Sequence, residues 1–177
     1  MSAPNEPDLK DHIRSIPDFP KPGILFRDIT PLLADPAAFQ SAIRQMAAPF
    51  RQSGVDLVAA AEARGFIFAA PLALELHAGL IPIRKPGKLP AEKLSFTYEL
   101  EYGSDTLEVH ADAILPGRNV LVVDDLLATG GTVEACCKLV EKAGGHVAGC
   151  VFLIELSALG GVKRIADYRT LSLIKYD

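Results

Sequence analysis

The sequence predicts an α/β fold in which helices cover both faces of a central, mostly parallel β-sheet. Short runs of consecutive apolar residues, typical of strands buried on both faces, alternate along the chain with segments of helical period. The clearest run is residues 119–123, and a helical pattern follows at residues 132–143. With 177 residues and a hydrophobic fraction of 49%, the chain can build the core of one domain.

The N-terminal part contains two predicted helices. Residues 8–16 place Leu9, Ile13 and Ile16 at helical spacing, and Pro17 ends that segment. The following stretch is rich in proline and glycine and is too interrupted for a long helix. A second helix is predicted over residues 36–51.

The rest of the chain alternates between strands and helices, with one interruption. Strands are predicted at 56–61, 79–83, 119–123 and 145–154, and helices at 65–77 and 132–143. Residues 84–90 carry three cations, two prolines and a glycine, which predicts an irregular loop. Alternating segments at 97–102 and 106–110, with a turn at 103–105, then predict an antiparallel excursion. Long loops inside compact domains are usually functional.

Charge and composition exclude several classes of protein. The 18 basic and 22 acidic residues give a net charge of −4, which argues against binding nucleic acid through its phosphates. No apolar run approaches the ~20 residues of a membrane span, and the polar N-terminus does not resemble a signal peptide. Three cysteines fit neither a disulfide framework nor a zinc motif. We therefore expect a soluble, cytoplasmic protein.

The segment 120–132 carries the strongest chemical signal. An apolar strand is followed by Asp124 and Asp125, and Thr129-Gly130-Gly131-Thr132 then opens a helix. Glycines allow close approach of the backbone, and helix N-termini favour anions. The carboxylates suit neutral hydroxyls such as a ribose diol, so the pattern predicts a sugar-phosphate site at the carboxyl end of a strand. The alternative is a strand end followed by a tight turn. The P-loop and the dinucleotide-binding fingerprint are both absent from the sequence.

Several blocks of sequence, in the same order, resemble the type I phosphoribosyltransferases. Besides 124–132 they are residues 22–31, Glu62-Ala63-Arg64-Gly65-Phe66, and residues 83–90, 98–103 and 154–157. The resemblance covers nearly the whole chain and implies one domain over residues 1–177 with that family's fold. It implies a small hood, built from about the first 35 residues and the C-terminal segment, and a flexible loop and hairpin at about 84–111.

The resemblance also implies an activity. The 5-phosphoribosyl group of 5-phospho-α-D-ribose 1-diphosphate would be transferred to adenine, giving AMP and diphosphate. Mg²⁺ would be held mainly by the diphosphate donor and water, without metal ligands from the chain. The family resemblance further implies a homodimer that binds neither nucleic acid nor membrane. Two alternatives remain open: an enzyme for another nucleobase, and a non-catalytic regulator that binds the same ligand.

Site residues carry over from the family to matching positions. The loop Ala128, Thr129, Gly130, Gly131 and Thr132 would surround the 5′-phosphate, and Asp124 and Asp125 the ribose hydroxyls. Arg64, Lys85 and Lys88 would stabilise charge on the leaving diphosphate. For the two lysines, the alternative is a solvated loop. Two departures from the family pattern are Pro86, where many relatives have a basic residue, and Glu62-Ala63, where Asp-Ser is common.

A further group would bind the base. Phe26 matches the residue that stacks on the purine, and Leu25, Arg27 and Leu156 match positions that frame it. Glu101 matches a carboxylate that either acts as the base that accepts the purine's proton or contacts the purine. The alternative is a solvent-facing glutamate. Tyr102 would cover the site or pack against its surroundings.

Overall fold

The computed structural model describes residues 6–99 and 103–177. The chain divides into two compact units, Met1–Gln45 and Met46–Asp177. The assignment of residues 1–177 to one domain with a hood stays a prediction.

The first unit contains a two-stranded antiparallel hairpin of β1 (Arg14–Pro17) and β2 (Leu25–Asp28). A short 3-10 helix, Leu9–His12, precedes it, and helices α1 (Thr30–Ala34) and α2 (Pro36–Ala47) follow. The predicted helix over 8–16 is therefore wrong, because the second half of that segment pairs with β2, Ile16 lying opposite Phe26. The predicted helix over 36–51 is confirmed as α2, which gives way to a 3-10 helix at Ala48–Phe50 that contains Pro49.

The second unit is built on a five-stranded parallel sheet, whose strands are, in spatial order, β4 (Gly79–Ile83), β3 (Leu57–Ala61), β7 (Asn119–Leu127), β8 (His146–Leu156) and β9 (Thr170–Tyr176). The predicted α/β fold with a parallel sheet is confirmed, while the last strand lay outside the sequence-based prediction. The elements are, in chain order, β3 (Leu57–Ala61), α3 (Gly65–Glu75), β4 (Gly79–Ile83), β5 (Lys93–Glu99), β6 (Ser104–His110), β7 (Asn119–Leu127), α4 (Gly131–Lys142), β8 (His146–Leu156), α5 (Gly161–Arg164) and β9 (Thr170–Tyr176).

Helices α3 and α4 cover opposite faces of this sheet. Ala59 and Val122 belong to a buried cluster with α4 residues such as Leu139. A Cβ atom placed on Gly65, at the start of α3, would lie 3.2 Å from the Cβ of Ala60. Because successive strand residues point to opposite faces, α3 packs on the side away from α4. None of the helices in the described ranges is long and apolar enough to cross a membrane.

The three cysteines lie in the core as free thiols. Cys136 and Cys137 are on α4 and Cys150 is on β8, and all three are buried. The sulfur atoms of Cys137 and Cys150 are 3.6 Å apart. The prediction that these residues form no disulfide framework agrees with this arrangement.

The antiparallel excursion is a hairpin of β5 and β6, in which Glu99 pairs with Ser104. The hairpin begins at Lys93, earlier than the alternating pattern indicated, and the irregular loop before it covers residues 84–92 rather than the predicted 84–90. Arg84, the first residue of the loop, pairs with Glu108 of β6 in an antiparallel bridge, which joins the loop to the hairpin. The predicted mobility of this loop stays a prediction.

Strand β7 is longer than predicted. Its pairing with β8 continues through Asp124, opposite Phe152, to Leu127, opposite Glu155. Asp124 and Asp125 therefore lie within the strand, and the expectation that they follow its end is wrong. Their position at the carboxyl half of a central parallel strand still places them at the edge where ligands of such sheets bind.

Candidate active site

The carboxyl ends of β3 and β7 border a cavity of about 440 Å³. The structure brings together five residues that the sequence singled out: Arg64, Lys85, Asp124, Asp125 and Thr132. It adds others that sequence reasoning had not assigned to the site: Glu62, Ala63, Tyr98, Asp105 and Leu107. The lining is thus strongly charged, with two cations and four carboxyl groups, which suits a polar, charged ligand.

A second cavity, of about 100 Å³, lies at the N-terminus of α4 and is lined by Asp124 and residues 126–133. Gly130 is the N-cap residue, with φ +84°, a conformation that glycine adopts without strain. No side chain caps the helix there, so its first backbone N–H groups can donate hydrogen bonds to an anion. The predicted loop 128–132, here called the anion cradle, therefore has the backbone arrangement of an anion site beside the larger cavity, and its role with a phosphate stays a prediction.

Gly161 packs directly against this cradle. A Cβ atom on Gly161 would lie 2.2 Å from the carbonyl oxygen of Ala128, and one on Gly130 would lie 2.7 Å from the carbonyl oxygen of Gly161. Backbone atoms cannot yield to such contacts, so both positions require glycine. Sequence reasoning missed Gly161, and the only signal available was the Gly160-Gly161 pair.

Asp125 forms an ion pair with Arg64, whose Nε lies 3.0 Å from Oδ2 of the carboxylate. Arg64 is the N-cap residue of α3, so a helix start presents it to the cavity. The carboxyl group of Asp125 is buried, whereas the Arg64 side chain is 44% exposed. A ligand in the cavity can therefore reach the guanidinium while the ion pair anchors it.

The adjacent carboxyl groups of Asp124 and Asp125 affect each other. Burial raises the pKa of Asp124 well above its ordinary value, and the charge of Asp125 raises it further. Burial also raises the pKa of Asp125, against the lowering effect of Arg64. Asp124 also accepts a hydrogen bond from the backbone N–H of Asp125 at 2.9 Å. Because burial removes their hydration, both groups gain from a ligand that donates hydrogen bonds to them.

Lys85 reaches the cavity from the loop 84–92. Its ammonium lies 3.2 Å from Oδ2 of Asp105, and its backbone N–H donates to Oε1 of Glu62 at 2.6 Å. The same loop is attached to Glu108, which accepts from the N–H of Gly87 at 3.2 Å. Lys88, predicted as a second cation of the site, is exposed and does not line the cavity.

Tyr98, on β5, approaches the cradle from the hairpin. Its hydroxyl lies 3.3 Å from Oγ1 of Thr132, and the two atoms share a hydrogen bond. Burial raises the pKa of Tyr98, so its hydroxyl is protonated and can donate. Sequence reasoning did not assign Tyr98 to the site, because its proximity to Thr132 depends on how the hairpin packs on α4.

The residues predicted to bind the base are described only in part. Leu25, Phe26 and Arg27 lie on β2 of the first unit, where the ring of Phe26 packs edge-on against Phe19 with centroids 5.1 Å apart. Leu156 is half-buried at the end of β8. Glu101 and Tyr102 lie outside the described residues, so their roles stay predictions.

Comparisons with known proteins identify the family. Residues 29–177 match the profile of the phosphoribosyl transferase domain, so the chain belongs to the phosphoribosyltransferase family. It is 62% identical to the adenine phosphoribosyltransferase of Rhodopirellula baltica, over 96% of this chain and 82% of that protein, and 58% identical to that of Maridesulfovibrio salexigens, over 94% and 98%. Within the family, the chain belongs to the adenine phosphoribosyltransferases, as the sequence resemblance indicated.

Solved structures agree with this placement. The crystal structure of adenine phosphoribosyltransferase from Thermoanaerobacter pseudethanolicus superposes with a TM-score of 0.92 at 56% identity, covering 96% of this chain and 98% of that one. The Saccharomyces cerevisiae enzyme, solved with adenine and D-2,5-dideoxy-2,5-imino-altritol 1,6-bisphosphate, has a TM-score of 0.88 at 39% identity, covering 94% and 96%.

Proposed function

We propose that the protein transfers the 5-phosphoribosyl group of 5-phospho-α-D-ribose 1-diphosphate to adenine, giving AMP and diphosphate. The observation that carries the proposal is one continuous lining, in which the anion cradle at α4 adjoins a cavity with Asp124, Asp125, Arg64 and Lys85. A sugar phosphate that bears a second, highly charged group matches this lining. The cradle suits its phosphate, the two carboxyl groups suit its hydroxyls, and the two cations suit the second charged group. The yeast relative, solved with adenine and a bisphosphate, supports the choice of ligands.

In this proposal each part of the lining meets one part of the donor. The cradle, residues 128–132, holds the 5′-phosphate with its N–H groups and threonine hydroxyls. Asp124 and Asp125 accept hydrogen bonds from the ribose hydroxyls. Arg64 and Lys85 stabilise the negative charge that grows on the departing diphosphate while the sugar becomes oxocarbenium-like.

The residues of the cavity also fit Mg²⁺. The described ranges contain no group of three His, Cys, Asp or Glu side chains that could hold a metal ion by themselves. Mg²⁺ usually keeps several water molecules and binds through one or two carboxylates and substrate phosphates. Glu62, Asp105 and Asp125 are engaged by Arg84, Lys85 and Arg64, which leaves Asp124 as the carboxyl group of the cavity suited to the water shell of such an ion. When bound, the ion would add positive charge at the diphosphate.

The base-binding group completes the proposal. Phe26 would stack on adenine, with Leu25, Arg27 and Leu156 framing the ring. Glu101 would accept a proton from adenine or hydrogen-bond to it, and Tyr102 would cover the bound base. The exposure of Leu25, at 47%, supports this assignment, since an apolar side chain at the surface suits a planar apolar ligand.

We further propose a cytoplasmic homodimer. Three buried, free thiols suit a reducing compartment. Ile67 and Leu74, seven residues apart on α3, are 39% and 78% exposed, and Leu80 on the neighbouring edge strand β4 is 40% exposed. Exposed apolar side chains on α3 and on the edge strand β4 suit a self-complementary contact with a second copy.

The test is an assay with radiolabelled adenine, hypoxanthine, guanine and orotate, each with the magnesium–diphosphate donor. We expect AMP and diphosphate from adenine and little product from the other bases. Preferential use of another base would overturn the assignment of adenine. Donor binding without turnover of any base would favour the regulator instead.

A further inference from the structure

Glu62 ties two loops of the cavity together. It lies directly after β3, and its carboxylate accepts hydrogen bonds from the backbone N–H of Lys85 at 2.6 Å and from the Arg84 guanidinium at 3.3 Å. Its own backbone N–H donates to the carbonyl oxygen of Ile83 at 3.0 Å. The side chain is only 17% exposed although it lines the cavity. Glu62 therefore holds the segment that leaves β4 through both its main chain and its side chain.

These contacts determine where Lys85 can place its charge. The backbone of Lys85 is held by Glu62, and its ammonium is held by Asp105 at 3.2 Å, so the residue is restrained at both ends. A lysine side chain has a flexible four-carbon stem, and its charge is well placed only when its backbone is fixed. Without the Glu62 contact, the N–H of Lys85 loses its acceptor, and the main chain is then held at the preceding residue, Arg84, by its bridge to Glu108. The ammonium then depends on the Asp105 ion pair, which an incoming anion must replace.

Glu62 is also close in sequence to Arg64, the other cation that lines the cavity. Arg64 follows Glu62 by two positions and is anchored by Asp125 on β7. The short segment 62–64 thus carries Arg64 itself and holds the main chain of Lys85 through Glu62. Because the N–H of Lys85 and then Arg84 lower the pKa of Glu62, its carboxylate is charged at neutral pH and keeps both contacts.

We propose that Glu62 is a positioning residue for the diphosphate donor, which holds the main chain of Lys85 so that Lys85 and Arg64 meet the diphosphate together. This inference rests on the proposed function, since it assigns the diphosphate group to this part of the cavity. Preorganised charges stabilise a charged leaving group without reorganising during the reaction. Glu62 itself does not contact the donor, because Arg84 and the Lys85 N–H occupy its oxygen atoms.

The test compares Glu62→Ala, Glu62→Gln and Glu62→Asp with the wild type. Loss of hydrogen bonds to a charged group predicts that Glu62→Ala raises the KM for the donor and the Kd for magnesium diphosphate about 10- to 100-fold. The KM for adenine should change by less than about twofold. Glu62→Gln can still accept from Lys85 but presents an N–H to Arg84, so its effect should be intermediate. Glu62→Asp keeps the charge and should restore most of the affinity.

Glu75→Gln is the matched control. It removes one carboxylate charge from the other end of α3, where Glu75 pairs with Arg51, and should leave both KM values unchanged. Wild-type affinity for magnesium diphosphate in Glu62→Ala would overturn the inference alone, as would equal increases in both KM values with a lower melting temperature. A wild-type chain that binds neither magnesium diphosphate nor the donor would overturn the proposed function, and with it this inference.

Discussion

Asp124 is a residue at which function and stability conflict. Its side chain is half-buried beside the buried Asp125, and this desolvation, followed by the neighbouring charge, raises its pKa well above the ordinary value. An acid whose pKa is raised by folding binds its proton more tightly in the folded state. Stability is then greatest below the ordinary pKa and is lost as the pH rises through the folded-state pKa. The ionised form that suits a ribose diol is thus the form that destabilises the fold.

We therefore expect Asp124→Asn to be a more stable but less active protein. Its melting temperature at pH 7 should exceed that of the wild type by about 2–4 °C, the shift that ~1 kcal/mol gives in a chain of this length. The difference should shrink as the pH falls and vanish only below the ordinary pKa of 3.8, where the wild-type group is protonated in both states. The value of kcat/KM for the donor should fall about 10- to 1000-fold, the scale of a lost charge-assisted contact. Calorimetry from about pH 3 to pH 8 and initial-rate kinetics measure these effects.

Asp56→Asn provides the control with the opposite sign. The N–H of Asn119, followed by Arg118, lowers the pKa of Asp56, so its stabilising effect is present above the ordinary pKa and is lost in acid. That substitution should lower the melting temperature at neutral pH and leave kcat/KM unchanged. A melting temperature for Asp124→Asn that stays below the wild type at every pH would contradict the interpretation of Asp124.

At the residue scale, the sequence predicted those site residues that lie in contiguous motifs. Arg64, Asp124, Asp125 and Thr132 belong to such motifs and line the cavity, while their roles stay predictions. Glu62 and Gly161 were not assigned a role, because each acts through a partner more than 20 positions away, Lys85 for the first and Ala128 for the second. Local patterns carry no information about such contacts.

At the element scale, the strands that form the middle of the sheet were the most predictable. Buried on both faces, they contain unbroken apolar runs, and β3, predicted at 56–61, spans Leu57–Ala61. The edge strand β4 was also predicted with both its ends correct, although most of its residues are exposed. The hairpin strand β1 was mistaken for a helix because Leu9, Ile13 and Ile16 have helical spacing, whereas pairing with β2 decided the structure. The edge strand β9 has only one buried residue, Ile174. Its sequence therefore lacks the unbroken apolar run by which the other strands were predicted.

Gly161 allows the start of α5 and the cradle before α4 to pack backbone against backbone. In Gly161→Ala the new methyl group would overlap the carbonyl oxygen of Ala128, so the cradle must shift. Displacements of about 1 Å can reduce catalysis by 10²-fold, and we expect the affinity for AMP to fall at least tenfold. Titration calorimetry with AMP measures this loss.

Gly79→Ala is a suitable comparison for that variant. Its Cβ would also be close to a neighbour, at 2.9 Å, but this neighbour is the end of the flexible Leu57 side chain. Gly79 begins β4, at the end of the sheet away from the cradle, so affinity for AMP should persist. Unaltered AMP binding by Gly161→Ala would show that the cradle tolerates displacement.

At the scale of the whole molecule, the proposed homodimer makes a distinct prediction. Leu74 is 78% exposed on α3. The substitution Leu74→Glu would place a charge inside the apolar contact proposed between the two subunits. Because a two-fold interface contains the residue twice, we expect the dimer dissociation constant to rise at least ~100-fold. Sedimentation velocity over a concentration series distinguishes dimer from monomer.

Leu115→Glu serves as the control for the dimer. Leu115 is also well exposed, at 58%, but lies in the connection between β6 and β7 rather than on α3. This variant should sediment like the wild type. If the wild-type chain itself sediments as a monomer at micromolar concentration, the proposed homodimer is wrong.

The buried thiols make the protein its own reporter of unfolding. Burial raises the pKa of Cys136, and a hydrogen bond with Cys150, together with burial, raises that of Cys137, so these sulfurs are unreactive while α4 and β8 stay packed. An alkylating reagent can reach them only in molecules whose core has opened. At low reagent concentration the labelling rate follows the equilibrium population of open molecules, and at high concentration it follows the opening rate itself. Mass spectrometry of intact chains would count zero, one, two or three labels, and labelling at all three sites together would identify α4 and β8 as one cooperative unit.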